Sequence, residues 1–257
     1  MNPPIELAVI GGTGLYRLAA LADVRSLAVQ TPWGEPSAPI RVGDFHGHRI
    51  AFLARHGEGH SLPPHRVNYR ANLWALQQAG IKRVLAVNAV GGIGDRFGPR
   101  VLAVPDQIID YTWGRSGTFC EGEAWQAQGG EVMHVDMSDP YTPSLRKAIL
   151  AAGREAGIGV VDGGCYGATQ GPRLETKAEI ARLRRDGCDL VGMTGMPEAA
   201  LARELRLEYA SLALVANWAA GCGDGAEITM AEVLANLDHA TARLPALLAA
   251  LLAGIDG

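Results

Sequence analysis

The chain has 257 residues, with 23 Lys and Arg against 27 Asp and Glu, a net charge of −4, and 48% hydrophobic residues. Its length fits one large α/β domain or two small ones, and 33 glycines suit a soluble globular protein with many tight turns. The charge balance offers no electrostatic case for nucleic acid or an anionic membrane. The four cysteines, Cys120, Cys165, Cys188 and Cys222, form no CxxC pair, so neither a zinc site nor a disulfide framework is indicated.

The opening MNPPIELAVIGG lacks a basic flank and a long apolar core, which argues against a signal peptide and for a cytoplasmic protein. Within it, IELAVIG (5–11) is predicted as a fully buried strand. HRIAFLARHG (48–57) and RVLAVNAVGG (83–92) predict two more, separated by a helix over 66–78 with Val67, Leu73 and Leu76 on a helical repeat. Strands follow at 101–110, 157–169, 188–194 and 207–217. Thr142 and Pro143 suit an N-cap and first helical position, and Thr176 with Glu179 and Thr229 with Glu232 have capping-box spacing. The tract 244–255 is too short to span a bilayer and carries Pro245. Alternating strands and helices without a linker or repeat predict one α/β domain over 1–257, with a mixed or parallel central sheet flanked by helices.

Loops at strand ends carry the polar motifs, as in open α/β sheets. IGGTGLY (10–16) can turn backbone N–H groups and the Thr13 hydroxyl toward an anion, though it is not a GxGxxG fingerprint and a plain strand–turn remains open. In LARHGEGHSLPPHR, Arg55 supplies the forked donor geometry that suits phosphate, and His56 stands beside it. No carboxylate set accompanies these histidines at metal spacing, so a metal is not expected. Thr194, at the end of LVGMTG, is a helix cap or a further phosphate hydroxyl. In LALVANWAAG an apolar strand run stops at Asn217, whose amide suits a turn or must hold something.

Taken in order, IGGTGLY, ARHGEGHSLPPHRVNYRANLWAL, VNAVGGI, HVDMSDPYTP, GATQGPRLETKAE, VGMTGMPEAALARE and LVANWAAG resemble the trimeric nucleoside phosphorylases, the family of purine nucleoside and methylthioadenosine phosphorylases. The resemblance implies a nucleoside-phosphorylase fold, phosphorolysis of an N-glycosidic bond, and active sites shared in a homotrimer. Inorganic phosphate is then a co-substrate, with no cofactor. It implies a phosphate set of Thr13, Arg55, His56, Asn88, Ala89 and Thr194, although Asn88 stands where relatives often have Thr or Ser. Met193 matches a residue that packs on ribose, and Leu174 replaces a Phe that stacks on the purine.

In adenine-selective relatives, carboxylates fill the places of Asn217 and Ala219. In relatives selective for 6-oxopurines the first place is Asn, and a Glu matching Glu175 accepts from N1–H. The base-binding set of Ala89, Leu174, Glu175, Asn217 and Ala219 therefore implies a 6-oxopurine. Arg55, His56 and Asn217 are the implied catalytic groups. Met230, with Val233 one turn on, stands where nucleoside-cleaving relatives place a His against the 5′-hydroxyl, which implies a 5′-methylthio group. His134 matches a position that reaches the 5′ end from an adjacent subunit. Together these imply 5′-methylthioinosine as substrate, with a general inosine and guanosine phosphorylase as the near alternative. A dinucleotide-binding oxidoreductase or nucleotide sensor built on IGGTG is the distant one.

Overall fold

Leu7, Val9, Ala8 and Ile10 alternate between two hydrophobic clusters, so the first strand needs a layer on each face. The computed structural model describes residues 4–12, 21–127 and 129–255. In it the strands run β1 (Leu7–Gly11), β2 (Ala22–Leu27), β3 (Ile40–Phe45), β4 (His48–Ala54), β5 (Arg83–Gly92) and β6 (Leu102–Val104). They continue as β7 (Gln107–Asp110), β8 (Val160–Asp162), β9 (Cys165–Ala168), β10 (Leu190–Gly192) and β11 (Glu208–Trp218). All belong to one mixed sheet, ordered β2-β3-β4-β1-β5-β10-β9-β7, with β11 on the other side of β5, flanked in turn by β6 and β8.

The helices are α1 (Tyr69–Gln78), α2 (Gly122–Gln126), α3 (Pro143–Glu155), α4 (Lys177–Arg185), α5 (Glu198–Glu204), α6 (Met230–Thr241) and α7 (Leu244–Ile255). Leu73 and Leu76 of α1 and Leu201 of α5 cover the face that holds Ala8 and Ile10. Leu145 and Ile149 of α3, with Leu244, Leu247, Leu248, Leu251 and Leu252 of α7, cover the opposite face. The aliphatic tract 244–255 is thus a core helix, and among the described residues no helix is long and apolar enough to cross a membrane.

Two predicted strands are each broken in two, and the breaks lie side by side. Pro105 has no N–H for a ladder, and Gly163 and Gly164 adopt positive φ of 85° and 110°. Gly163 N donates to Val104 O and Asp106 N to Gly164 O, so the two chains turn together. Before the break β6 pairs with β8 beside β11; after it β7 pairs with β9 beside β10. The hairpin of β2 and β3 is not predicted from the sequence. β2 is exposed throughout, so no alternation of apolar and polar residues marks it.

The chain does not leave the sheet at Asn217. β11 runs in register with β5 from Glu208 opposite Arg83 to Val215 opposite Val90, then resumes with Asn217 opposite Gly91. Ala216 is the extra residue of a β-bulge, which re-aims the side chains beyond it. Its carbonyl accepts from Nδ2 of buried Asn236 on α6 at 2.8 Å, and Arg100 Nε donates to Asn236 Oδ1 at 2.7 Å. Asn236→Ala strands that carbonyl and should lower stability by about 1–3 kcal/mol. Urea unfolding should show a lower midpoint at unchanged slope; an unchanged midpoint would show that the bulge does not depend on Asn236.

Candidate active site

The β5 edge opposite β11 changes partner along its length. β1 pairs with Val84–Ala86 and β10 with Gly91 and Gly92, so among the described residues 87–90 have no strand neighbour on that side. Backbone groups of alternate residues point to the same edge, and Val87 O meets Arg55 there; Ala89 therefore presents its N–H to the same gap. Ala89 is exposed between buried neighbours because a cavity of about 330 Å³ opens against it. Such a switch point is where open α/β sheets bind ligands. Arg55, His56, Ala89, Leu174, Glu175, Met193, Thr194, Asn217, Ala219, Met230 and Val233 all line this one cavity. Thr13 lies outside the described residues; its neighbour Gly12 is in the lining.

At the cationic end Arg55 is 1% exposed and nearly all its donors are committed. Nε and Nη2 each donate to Glu198 at 2.8 Å, Nη1 to Val87 O at 3.0 Å and Nη2 to Ile10 O at 3.4 Å. A guanidinium has five N–H groups, so one on Nη1 is left. Burial opposes the charge, but the Glu198 carboxylate more than offsets it and holds the Arg55 pKa above its ordinary range. Tyr209 Oη donates to Glu198 at 2.9 Å, which completes the carboxylate's shell.

His56 Nδ1 lies 2.8 Å from Leu62 O, a pure acceptor, so Nδ1 carries the hydrogen and Nε2 is left as the ring's acceptor. Burial, and next the Arg55 charge, push its pKa down to about 4, so the imidazole is neutral near pH 7. The His60 ring centroid lies 4.4 Å from that of His56. Asn88 is buried and its side chain points elsewhere than the cavity: Nδ2 donates to Thr194 Oγ1 at 2.7 Å and Oδ1 accepts from Ser211 at 2.9 Å. Thr194 accepts that bond, and its own hydroxyl hydrogen has the Tyr166 hydroxyl and the cavity on either side.

At the other end the bulge delivers Asn217. One of its amide hydrogens goes to Trp218 O at 2.7 Å, and the second remains. Glu175 Oε1 accepts from Thr169 Oγ1 at 2.6 Å. Ala219 is buried, and Leu174 is 48% exposed at the rim. Between the ends, Met193 packs beside Gly171, whose φ of 61° suits glycine and where a Cβ would collide with Met193 Sδ. Ile228, Met230, Val233 and Leu237 form an apolar wall, with Met230 63% exposed. His134 is exposed and is not part of the lining.

Three contributors are absent from the sequence reading. Glu198 reads as a first-turn helix charge, and nothing local marks it as the partner of Arg55, 143 positions away. Thr169 lies inside the GATQGPRLE motif but is not singled out there. Arg115, in a plain WGRSG turn, donates to the carbonyls of Thr169, Gln170, Met193 and Met196, joining the loops that carry Glu175 and Thr194.

A family model described as "Phosphorylase superfamily" matches residues 6–253. A "Probable S-methyl-5'-thioinosine phosphorylase" of Xanthomonas campestris is 69% identical over 250 residues, 97% of this chain and 98% of the relative. The "6-oxopurine nucleoside phosphorylase" of Pyrococcus furiosus is 46% identical, covering 89% of this chain and 85% of that protein. Among solved structures, a methylthioadenosine phosphorylase from an Antarctic soil metagenomic library superposes with a TM-score of 0.90 at 36% identity, covering 99% of this chain and 88% of that one. The Schistosoma mansoni methylthioadenosine phosphorylase in complex with adenine gives a TM-score of 0.89 at 31% identity, covering 98% and 92%. With the family matched over nearly its whole length and the fold shared, this chain belongs to the phosphorylase superfamily.

Proposed function

We propose that this protein cleaves 5′-methylthioinosine with inorganic phosphate, releasing hypoxanthine and 5-methylthioribose-1-phosphate as a purine-salvage pentosyltransferase. The observation that carries the reading is one cavity with a hydrogen-bonding end, an apolar wall and a polar floor built on the Arg55 cation. Asn217 and Glu175 form the first, Met230 and Val233 the second, Arg55, His56 and Thr194 the third. The names of relatives at 54–69% identity support the same substrate.

Phosphate sits against Arg55, Thr194 and the Ala89 N–H, its own O–H donating to His56 Nε2, with Thr13 as a further ligand. As the C–N9 bond stretches, one phosphate oxygen closes on the anomeric carbon while the bond's electron pair passes to the purine. The remaining charge on phosphate stabilises the oxocarbenium-like sugar, packed on Met193. Asn217 donates to O6 or N7 as negative charge builds on the base, and Glu175 accepts N1–H. Neutral adenine has no N1–H, so Glu175 would lose its partner. Catalysis is then positioning and electrostatics, without a covalent intermediate or organic cofactor. Four free thiols suit the reducing cytoplasm.

On the base, 6-oxopurine substrates should exceed their 6-amino counterparts in kcat/KM by about 10⁴, as sites that leave buried polar groups unpaired achieve. Asn217→Asp should erode the preference, and adding Ala219→Asp should turn it toward adenine. Equal use of methylthioadenosine and methylthioinosine by the unmodified enzyme would refute the base assignment.

On the sugar, methylthioinosine should surpass inosine mainly in KM, because the alkylthio group binds away from the breaking bond. Met230→His should narrow the gap by giving the 5′-hydroxyl a partner. Should inosine be the better substrate from the start, the protein is a general 6-oxopurine phosphorylase like its Pyrococcus relative.

The exposure of Met230 and the position of His134 outside the lining fit a 5′ pocket completed by the neighbour in a homotrimer. His134→Ala should weaken methylthioinosine binding and leave phosphate binding intact. Refolding His134→Ala chains with Arg55→Ala chains should restore activity wherever a sound His134 meets a sound Arg55. Inactive mixed trimers, or a fully active monomer in sedimentation, would show that each chain holds its whole site.

A further inference from the structure

Glu175 stands on a wall between two spaces. On one side is the cavity already described. On the other is a second one of about 240 Å³, whose lining includes Thr169, Arg173, Glu179, Arg182 and Tyr111. Two guanidiniums, Arg173 and Arg182, line that outer side together with the carboxylate that the base needs on the inner side. Arg173 is itself held by Glu179 at 2.7 and 2.8 Å, and Arg182 lies over the Tyr111 ring at 5.3 Å. A Glu side chain has three rotatable bonds, and one anchored only by its own backbone would sample both sides.

What holds it is Thr169. The Thr169 hydroxyl donates to Glu175 Oε1 at 2.6 Å; its other acceptor in reach, Gly192 O, is at 3.3 Å, and a hydroxyl has one hydrogen to give. The shorter bond is the charge-assisted one, and bonds of that kind are the stronger. Thr169 is itself immobilised. Its backbone N donates to Gly192 O at 2.8 Å, and its carbonyl accepts from Arg115 Nη2 at 3.2 Å. Arg115 also grips Met193 O and Met196 O, so the donor is referenced to the loop that carries Thr194. With one acceptor site of Oε1 taken, Oε2 is the oxygen whose acceptor sites are both left for N1–H.

We propose that Thr169 is a positioning residue for base selection: its hydroxyl fixes the Glu175 carboxylate where it lines the first cavity and leaves Oε2 for the N1–H bond. This rests on the 6-oxopurine reading of Glu175. The determinant of specificity is then a side chain outside the first cavity's lining, six residues before the one that lines it.

The test is the inhibition constant of each free base, which does not require that base to turn over, measured on the full-length enzyme. In Thr169→Val, hypoxanthine Ki and methylthioinosine KM should rise about 10- to 100-fold, the scale of losing a hydrogen bond to a charged group. Adenine Ki and phosphate KM should stay within about twofold, and Thr169→Ser should restore the hypoxanthine value, because only the hydroxyl is required. Thr169→Ala removes the hydroxyl without new bulk and is measured in parallel, with phosphate KM as the check on folding. Unchanged hypoxanthine binding in a folded Val or Ala variant overturns the proposal, as does a Ser variant as poor as Val. Glu175→Gln separates the two levels. If it weakens hypoxanthine while Thr169→Val does not, positioning alone fails; if Glu175→Gln changes nothing, the base reading fails with it.

Discussion

The buried ion pair of Arg55 and Glu198 is the constraint on which the site rests. It joins the residue just past β4 to the first turn of α5, and Tyr209 of β11 closes it from a third element. Removing one partner of such a pair leaves an uncompensated buried charge, at a cost of about 3–5 kcal/mol. It also fixes where the cation sits: Nη1 reaches Val87 O in the unpaired stretch of β5, so the guanidinium plugs the sheet at the place where a strand neighbour is missing. The charge at the floor of the cavity is thereby held by the backbone it sits on.

Two departures from a regular sheet then make room for chemistry. The change of partner on one edge of β5 leaves Ala89 facing empty space, and the bulge at Ala216 on the opposite neighbour swings Asn217 into that space. Each is stabilised by a side chain from outside the sheet, Arg55 for the first and Asn236 for the second. Because Asn236 belongs to α6, the helix that carries Met230 and Val233 is referenced to the strand that carries Asn217. Two walls of the cavity share one anchor.

Much of this was legible in the chain, and the rest was not for definable reasons. The strand at 83–92 and the capping box of Thr176 and Glu179 are local patterns, and the structure reproduces both. The Thr142 cap is different: its hydroxyl accepts from Tyr209 N, tying α3 to β11 instead of capping its own helix. Asn217 was visible as an amide that needed a purpose, but the bulge behind it depends on pairing with β5 and leaves no local mark. Most of the implied site residues do converge on one cavity, whereas Asn88 is committed to holding Thr194 in place. Glu198 meets Arg55 from 143 positions away, and Arg115 meets carbonyls 54 to 81 positions away, distances no motif spans.

The most direct measurement is a competition. Methylthioinosine, inosine and methylthioadenosine at equal concentration are offered with limiting phosphate, and products are followed at low conversion by phosphorus NMR and base chromatography. The account predicts that hypoxanthine and 5-methylthioribose-1-phosphate appear first and in equal amounts. Adenine or ribose-1-phosphate leading the products, or base release that proceeds without phosphate, would contradict it.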